Sequence, residues 1–331
     1  MAAQRYAVIG SNSFGGAAFV ARAINDGAEV VGFNRSPEGS DIFLPYRQSA
    51  RRAAYAFHQA DLNRDLTRIL EEIERFRPDA VIDFAGQGMV AESWQNPAQW
   101  YTTNIVAKVR LHDELRKREW LSRYVRVSTP EVYGSQSGPS RESWTYSPST
   151  PYAVSHAATD MSLRAFHANY GFPVVLPRFA NFYGPGQQLY RIIPRTIISA
   201  LTGKKLQLHG GGTAVRAFIF GDDVADGVMR CIHTGRTGEA YHFSPERFLT
   251  IREVVETICR RLDVPFESVA EVAPERPGKD HAYLMDASKA RSELGWQESV
   301  TFEEGVDRTI AWIRANLDEI KGMPWDYIHK A

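Results

Sequence analysis

Along the first 180 positions, short runs of apolar and β-branched residues alternate with longer stretches in which apolar residues return every three or four places. The short runs at residues 5–9, 29–33, 54–58, 79–84, 124–127 and 174–177 predict strands. The longer stretches at residues 16–25, 62–76, 104–117 and 151–170 predict helices. In the second of these, Leu62, Leu66, Ile69, Leu70 and Ile73 recur at helical spacing. This alternation predicts an α/β fold built on a doubly wound parallel sheet, with helices on both faces and the ligand crevice at the carboxyl ends of the strands. Beyond residue 180 the pattern loosens. Gly184-Pro185-Gly186 and Gly210-Gly211-Gly212 interrupt it, and residues 301–316 form a last helix. The expected division is a ligand-binding domain over residues 1–180, rejoined by a strand–helix–strand unit within 213–244. A smaller C-terminal α/β lobe would come from 181–212 and 245–331.

Charge removes one class of function. Lys plus Arg and Asp plus Glu both number 39, so the chain lacks the basic surplus that a dedicated nucleic-acid binder needs. The two cysteines, Cys231 and Cys259, each lie in a partly apolar helical stretch, so neither a disulfide framework nor a cysteine-based metal site is expected. No apolar run approaches the ~18 residues of a membrane span. The first ten residues also lack the charged start and long apolar middle of a secretion signal. A cytoplasmic protein with no membrane partner is expected.

Several predicted strand ends carry chemistry. Gly10-Ser11-Asn12-Ser13-Phe14-Gly15-Gly16 joins the first strand to the first helix, where glycines let the backbone approach a pyrophosphate and the helix N-terminus offers N–H donors. After the second strand comes Asn34-Arg35-Ser36. An acidic residue there holds the ribose hydroxyls of NAD, whereas Asn34 with Arg35 and Ser36 suits a 2′-phosphate, which favours NADP over NAD. Asp61-Leu62 after the third strand, and Phe84-Ala85-Gly86-Gln87 after the fourth, follow the same crevice. Ser128-Thr129-Pro130-Glu131 brings a hydroxyl and a carboxylate to the next strand end. Tyr152 and His156, four apart, share one face of the helix that follows.

Taken in order, the glycine turn, Ser128-Thr129-x-Glu131-x-Tyr133-Gly134 and Pro151-Tyr152-x-x-Ser155 are joined by further motifs. These are Arg178-x-x-Asn181-x-Tyr183-Gly184-Pro185-Gly186-Gln187, Ile193-Pro194-Arg195, Leu208-x-Gly210-x-Gly212-x-x-x-Arg216, Asp222-Asp223-Val224-Ala225 and Asp286-x-Ser288-Lys289 with Leu294-Gly295-Trp296. The set spans nearly the whole chain. It resembles the extended short-chain dehydrogenase/reductase family, in particular its nucleotide-sugar epimerases and 4,6-dehydratases. The resemblance implies a Rossmann-type fold and a bound NAD(P). It also implies oxidation at sugar carbon 4, elimination of water across carbons 5 and 6, and hydride return to carbon 6. Tyr152 takes the role of base at the 4-hydroxyl, Glu131 that of base at carbon 5, and Thr129 bonds the 4-oxygen. The cofactor would meet Gly10, Asn12, Ser13, Phe14, Gly16, Asn34, Arg35, Ser36, Asp61, Leu62, Phe84, Ala85, Gly86, Gln87, Asn104, Ser128, Tyr152, His156 and Arg178. The nucleotide sugar would meet Gln87, Thr129, Glu131, Asn181, Arg191, Arg195, His209, Arg216 and Arg276. A homodimer through a four-helix bundle, from residues 98–118 and 151–170 of each subunit, is implied in the same way.

Two positions depart from the family pattern. His156 stands where the family has a Lys that holds the nicotinamide ribose and lowers the Tyr pKa. The charge of a His near pH 7 is conditional, so weaker or more pH-dependent activation of Tyr152 is expected. Pro130 stands where glucose-type dehydratases carry a proton-donating Asp. The rival readings are a nucleotide-uronic acid decarboxylase, a 4-epimerase, and a cofactor-binding sensor or scaffold that has lost catalysis.

Overall fold

The computed structural model describes residues 3–274 and 282–330. Seven parallel strands form one sheet: β1 (Arg5–Ile9), β2 (Glu29–Asn34), β3 (Tyr55–Gln59), β4 (Ala80–Asp83), β5 (Tyr124–Arg126), β6 (Val174–Phe179) and β7 (Ala240–Phe243). Their order is 3-2-1-4-5-6-7, so the direction of winding reverses between β1 and β4, the place where sheets of this kind bind their ligands. Five helices cover the sheet: α1 (Phe14–Asn25), α2 (Leu66–Phe76), α3 (Lys108–Leu115), α4 (Pro151–Tyr170) and α5 (Gly221–His233).

Alternation along the strands explains the two-sided cover. Tyr6, Val8, Val30, Ile82, Val125 and Val175 point to one face, where they meet Phe19, Val20 and Ile24 of α1 and Val224 and Val228 of α5. Ala7, Ile9, Val31, Phe33, Val81, Tyr124 and Val174 point to the other, against Ile69 and Ile73 of α2, Leu111 and Leu115 of α3 and Leu163 of α4. A separate apolar cluster in the C-terminal half gathers Tyr183, Ile193, Ile197, Phe218, Val254, Ile258, Phe302 and Ile313.

The structure differs from the sequence expectations in three places. The strands directly after residue 213 stay off the main sheet, Val215–Arg216 pairing with Leu249–Thr250. Phe218–Phe220 pairs with Asn181–Tyr183, and only α5 and β7 return. Residues 62–65 are a turn rather than the start of α2, because the Asp61 carboxylate accepts from Asn63 N (2.8 Å) and Asp65 from Asp61 N (2.8 Å). The helix expected from residue 104 begins earlier, as a π-helical stretch over Tyr101–Ala107 that runs into α3. Cys231 and Cys259 are both free and buried. Among the described residues no helix is long and apolar enough to cross a membrane.

Candidate active site

The turn after β1 has no room for a side chain at Gly10 or Gly16. Gly10 sits at φ +83°, and a Cβ on it would come within 2.7 Å of the Ala85 nitrogen. One on Gly16 would come within 2.2 Å of the Gly10 carbonyl. Ser13 caps α1: its hydroxyl accepts from Gly16 N (3.1 Å) and donates to the Gly10 carbonyl (2.7 Å). Asn12 is held from below by the Tyr46 hydroxyl (3.0 Å), while its Nδ2 is buried with no partner in the protein. A tight glycine turn opening a helix and an orphaned amide donor fit a dinucleotide pyrophosphate.

At the end of β2, the Asn34 amide donates to the Ser36 carbonyl (3.1 Å). The C-terminal tail returns here, a feature with no signal in the local sequence. The Lys330 carbonyl accepts from Arg35 (3.2 Å) and from Gln87 Nε2 (3.0 Å), and its ammonium reaches Ser36 Oγ (3.1 Å). His329 stacks on Trp100 at 5.3 Å. Gln87 is also fixed through its backbone, donating to Asn104 Oδ1 (2.8 Å) and accepting from Asn104 Nδ2 (3.1 Å). Asn104 lies in the π-helical stretch and its amide also donates to Ser155 (3.0 Å), tying the β4 loop to α4.

Thr129 organises the chemistry. It is the N-cap of a short 3₁₀ turn, Pro130–Tyr133, and accepts from Glu131 N (3.2 Å). The same side chain lies near enough to the Tyr152 phenol to favour its ionised form. Pro130 occupies the first position of the turn, where proline's fixed φ suits the geometry and its missing N–H is not needed. Thr150 caps α4 and so fixes the end of the helix that carries Tyr152 and His156, whose rings lie 4.5 Å apart. Burial, then the charge of Glu131, pushes the Tyr152 phenol above its ordinary pKa; Thr129 and Arg191 pull it down. Tyr283, which the sequence reading missed, faces Glu131 as well. Burial and Glu131 push its phenol up to about 12, against the pull of Arg216, whose guanidinium lies 4.0 Å over its ring.

Beneath these residues lies a buried polar floor. Burial works to raise the Asp83 carboxyl, but Lys108 and Arg126 outweigh it and hold it below the usual carboxylate range. Tyr124 donates to Asp83 Oδ2 (2.8 Å), and Arg126 Nη2 reaches His156 Nδ1 (3.1 Å).

The remaining candidates divide. Phe84 packs on Phe19 and on Gly15, lining the turn, while Leu62 is a core residue beside Asp61. Asn181 lies at the start of its short strand and stays partly exposed. Arg195 is paired with Asp326 of the tail (3.1 Å), and His209 Nδ1 is bonded to the Pro274 carbonyl (2.9 Å). Arg216 is buried with one nitrogen on the Val215 carbonyl (2.7 Å). Arg276 lies outside the described residues. The Arg178 side chain corrects the sequence expectation of a cofactor contact. It is fully buried, donating to Asp160 (2.9 Å) and the Tyr133 hydroxyl (2.6 Å), and Ser128 Oγ also donates to Asp160 (2.6 Å). Arg178 braces the strands under the site instead of lining it.

A profile of the GDP-mannose 4,6 dehydratase family matches residues 8–309. The chain belongs to this family. It is 33% identical over 336 residues to the dTDP-glucose 4,6-dehydratase of Xanthomonas campestris pv. campestris, covering 96% of this chain and 95% of that one. To the Escherichia coli dTDP-glucose 4,6-dehydratase it is 31% identical over 342 residues, with 94% of each chain covered. The dTDP-glucose 4,6-dehydratase of Streptomyces venezuelae, solved with NAD and TYD bound, superposes with a TM-score of 0.86. The two are 32% identical over 96% of this chain and 98% of that one. A UDP-glucose 4-epimerase of Thermotoga maritima gives the same TM-score at 24% identity, over 95% of this chain and 100% of that one. The fold is therefore common to dehydratases and epimerases. The expected membership among extended short-chain dehydrogenase/reductase enzymes of nucleotide sugars, and the expected lyase chemistry, agree with these relatives.

Proposed function

We propose that the chain removes water from a nucleotide-diphosphate hexose to give the 4-keto-6-deoxy sugar, with Tyr152 and Glu131 as its two proton-handling groups. The observation that carries this reading is the convergence of Glu131, whose N–H is held by Thr129 at the end of β5 (3.2 Å), and Tyr152, held by the Thr150 cap of α4, close enough for the charge of Glu131 to act on the phenol. Two threonine caps thereby bring the base for the 4-hydroxyl and the base for carbon 5 together. A bound nicotinamide dinucleotide supplies the acceptor that takes hydride from carbon 4 and the donor that returns it to carbon 6. Tyr152 takes the 4-hydroxyl proton. The ketone so formed acidifies carbon 5, and the Glu131 carboxylate removes that proton. Pro130 has none to give, so Glu131 hands the same proton to the departing 6-hydroxyl, which leaves as water, and the enolate left once hydride reaches carbon 6 takes a solvent-derived proton at carbon 5 by way of Glu131. Tyr283 and Arg216 close the side of the pocket facing Glu131.

The test is a mass-spectrometric screen of nucleotide hexoses and uronic acids, headed by dTDP-glucose, the compound named for the relatives. Loss of one water is expected; loss of carbon dioxide, or an isomer of unchanged mass, would overturn the reading. Within it, Glu131→Gln should permit oxidation at carbon 4 yet block entry of solvent deuterium at carbon 5. For the cofactor we propose NADP, because Asn34 replaces an acid and Arg35, Ser36 and Lys330 converge at the end of β2. Mass analysis of dinucleotide released on denaturation checks this, and NAD alone would refute it. On this reading residues 1–180 and 221–244 hold the dinucleotide, and 181–220 and 245–331 the nucleotide sugar. Val106, Val154 and Met161 are 45%, 38% and 58% exposed on the segments expected to form a four-helix bundle, which supports a homodimer. Sedimentation showing a monomer at micromolar concentration would remove that part.

A further inference from the structure

The family Lys at position 156 would be a cation; His156 need not be one. Its surroundings state which form of the ring is present. Arg126 lies at the end of β5 with only 1% of its surface exposed, and its Nη2 is 3.1 Å from His156 Nδ1. A guanidinium has donors and no acceptor, so the bond requires Nδ1 to accept and therefore to carry no proton. The proton of a neutral imidazole then sits on Nε2. That nitrogen bonds to no described residue and is not sealed in the interior. Arg126 is itself fixed, since another of its nitrogens donates to the Val127 carbonyl and its Nε lies 3.9 Å from Asp83.

We propose that Arg126 is a positioning residue that locks His156 as the neutral Nε2–H tautomer, so that His156 serves the site as a fixed hydrogen-bond donor toward the nicotinamide ribose and not as a cation. The proposal rests on the dehydratase reading for what Nε2–H meets, but not for the tautomer. The groups facing His156 agree. Arg126 approaches from β5, Lys108 from α3 and Tyr152 from its own helix, and Asp160, one turn further on, is committed to Arg178 and Ser128. Burial, then the charges of Arg126 and Lys108, holds the imidazole well below its ordinary pKa. The pH-dependent activation expected from a titrating His156 is thereby replaced by a donor that stays constant through neutrality.

The first test is ring-nitrogen NMR of the ¹⁵N-histidine-labelled protein across pH 5.5–8. His156, assigned by comparison with His156→Gln, should show a protonated Nε2 and a bare Nδ1 throughout. Protonation of both nitrogens at pH 7, or of Nδ1 alone, would overturn the proposal without reference to any substrate. The second test removes the donor. Arg126→Met frees Nδ1 but leaves the burial that is the first cause of the low pKa, so the ring should stay neutral and divide its proton between the two nitrogens, with an Nδ1–H signal appearing in the ¹⁵N spectrum and kcat lowered by about twofold at every pH. Arg126→Lys, which keeps a donor, should restore the single Nε2–H form. A bare Nδ1 persisting in Arg126→Met would refute the proposal. Tyr152→Phe serves as the control for the underlying reading. If it turns over normally, the dehydratase assignment of Tyr152 fails, whereas the NMR result stands on its own.

Discussion

Two buried polar clusters lie side by side under α4, built from nearly the same residue types. One joins Asp83, Lys108, Tyr124, Arg126, His112 and His156; the other joins Ser128, Tyr133, Tyr146, Asp160, Arg178 and His242. Each contains a buried arginine paired with a buried aspartate, and α4 contributes one residue to each, a single turn apart. Their difference is in where the bonds end. In the second cluster they end on interior groups: Arg178 on Asp160 and Tyr133, and His242 on Tyr133 (2.8 Å) and the Ser140 carbonyl (3.1 Å). In the first, the chain of bonds reaches His156 and leaves one ring nitrogen facing out of the interior. Burial of charge therefore does not mark a functional cluster; a hydrogen-bonding valence left open at a cleft does.

The largest effect that would test this comparison is on catalysis. Tyr152→Phe should cost at least about 10²-fold in turnover while the dinucleotide stays bound, a loss typical of removing a general base. Full activity would detach Tyr152, whose ring packs on His156 of the first cluster, from the chemistry. Next in size is stability. Arg178→Met leaves Asp160 as a buried charge without a counter-ion and should lower the unfolding free energy by about 3–5 kcal/mol in urea titrations. Arg126→Met leaves Asp83 still paired with Lys108 and should lose visibly less. Equal losses would erase the distinction between the clusters.

Acid should then strike the first cluster harder than the second. His112 and His242 are pushed down to about 3, and His156 well below its ordinary value, in each case mainly by burial. All three stay neutral when folded but bind a proton near pH 6.5 when unfolded, so their contribution is intact above 6.5 and is lost as pH falls below it. The loss is about 1.4 kcal/mol per histidine for each pH unit. Two of the three lie in the first cluster. Proton uptake on unfolding at pH 5.5, measured by calorimetry in buffers of different ionisation enthalpy, should therefore fall by about two in His112→Gln/His156→Gln and by about one in His242→Gln. The smallest effect belongs to the tail. Lys330→Ala should speed dinucleotide dissociation by less than about tenfold, because an exposed polar contact contributes only about 1 kcal/mol. No change would show that the tail lies on the cleft without holding its contents.

Much of this architecture was legible before the structure. The strands of the sheet appear as apolar runs because both their faces are covered, and Thr129, Glu131, Tyr152 and His156 are recognisable because a strand end and a helix face fix their spacing over a few residues. The glycine turn is legible for the same local reason: only glycine fits where a Cβ would strike the neighbouring backbone. Arg126 and Arg178 could not be told apart in this way. Both stand near the ends of central strands, and the sequence reading chose Arg178 for the cofactor and passed over Arg126. Which of them reaches the site depends on strand register and on which residue of α4 stands opposite. Tyr283 and Lys330 come from distant parts of the chain and meet Glu131 and Ser36 only because the C-terminal half folds back across the crevice. The sequence alone determined the fold class and the local catalytic spacing, since both follow from periodicity and backbone sterics within a single element. Only the tertiary structure decided the form of His156, because a ring's tautomer is set by the neighbour that bonds it, and that neighbour lies on another strand.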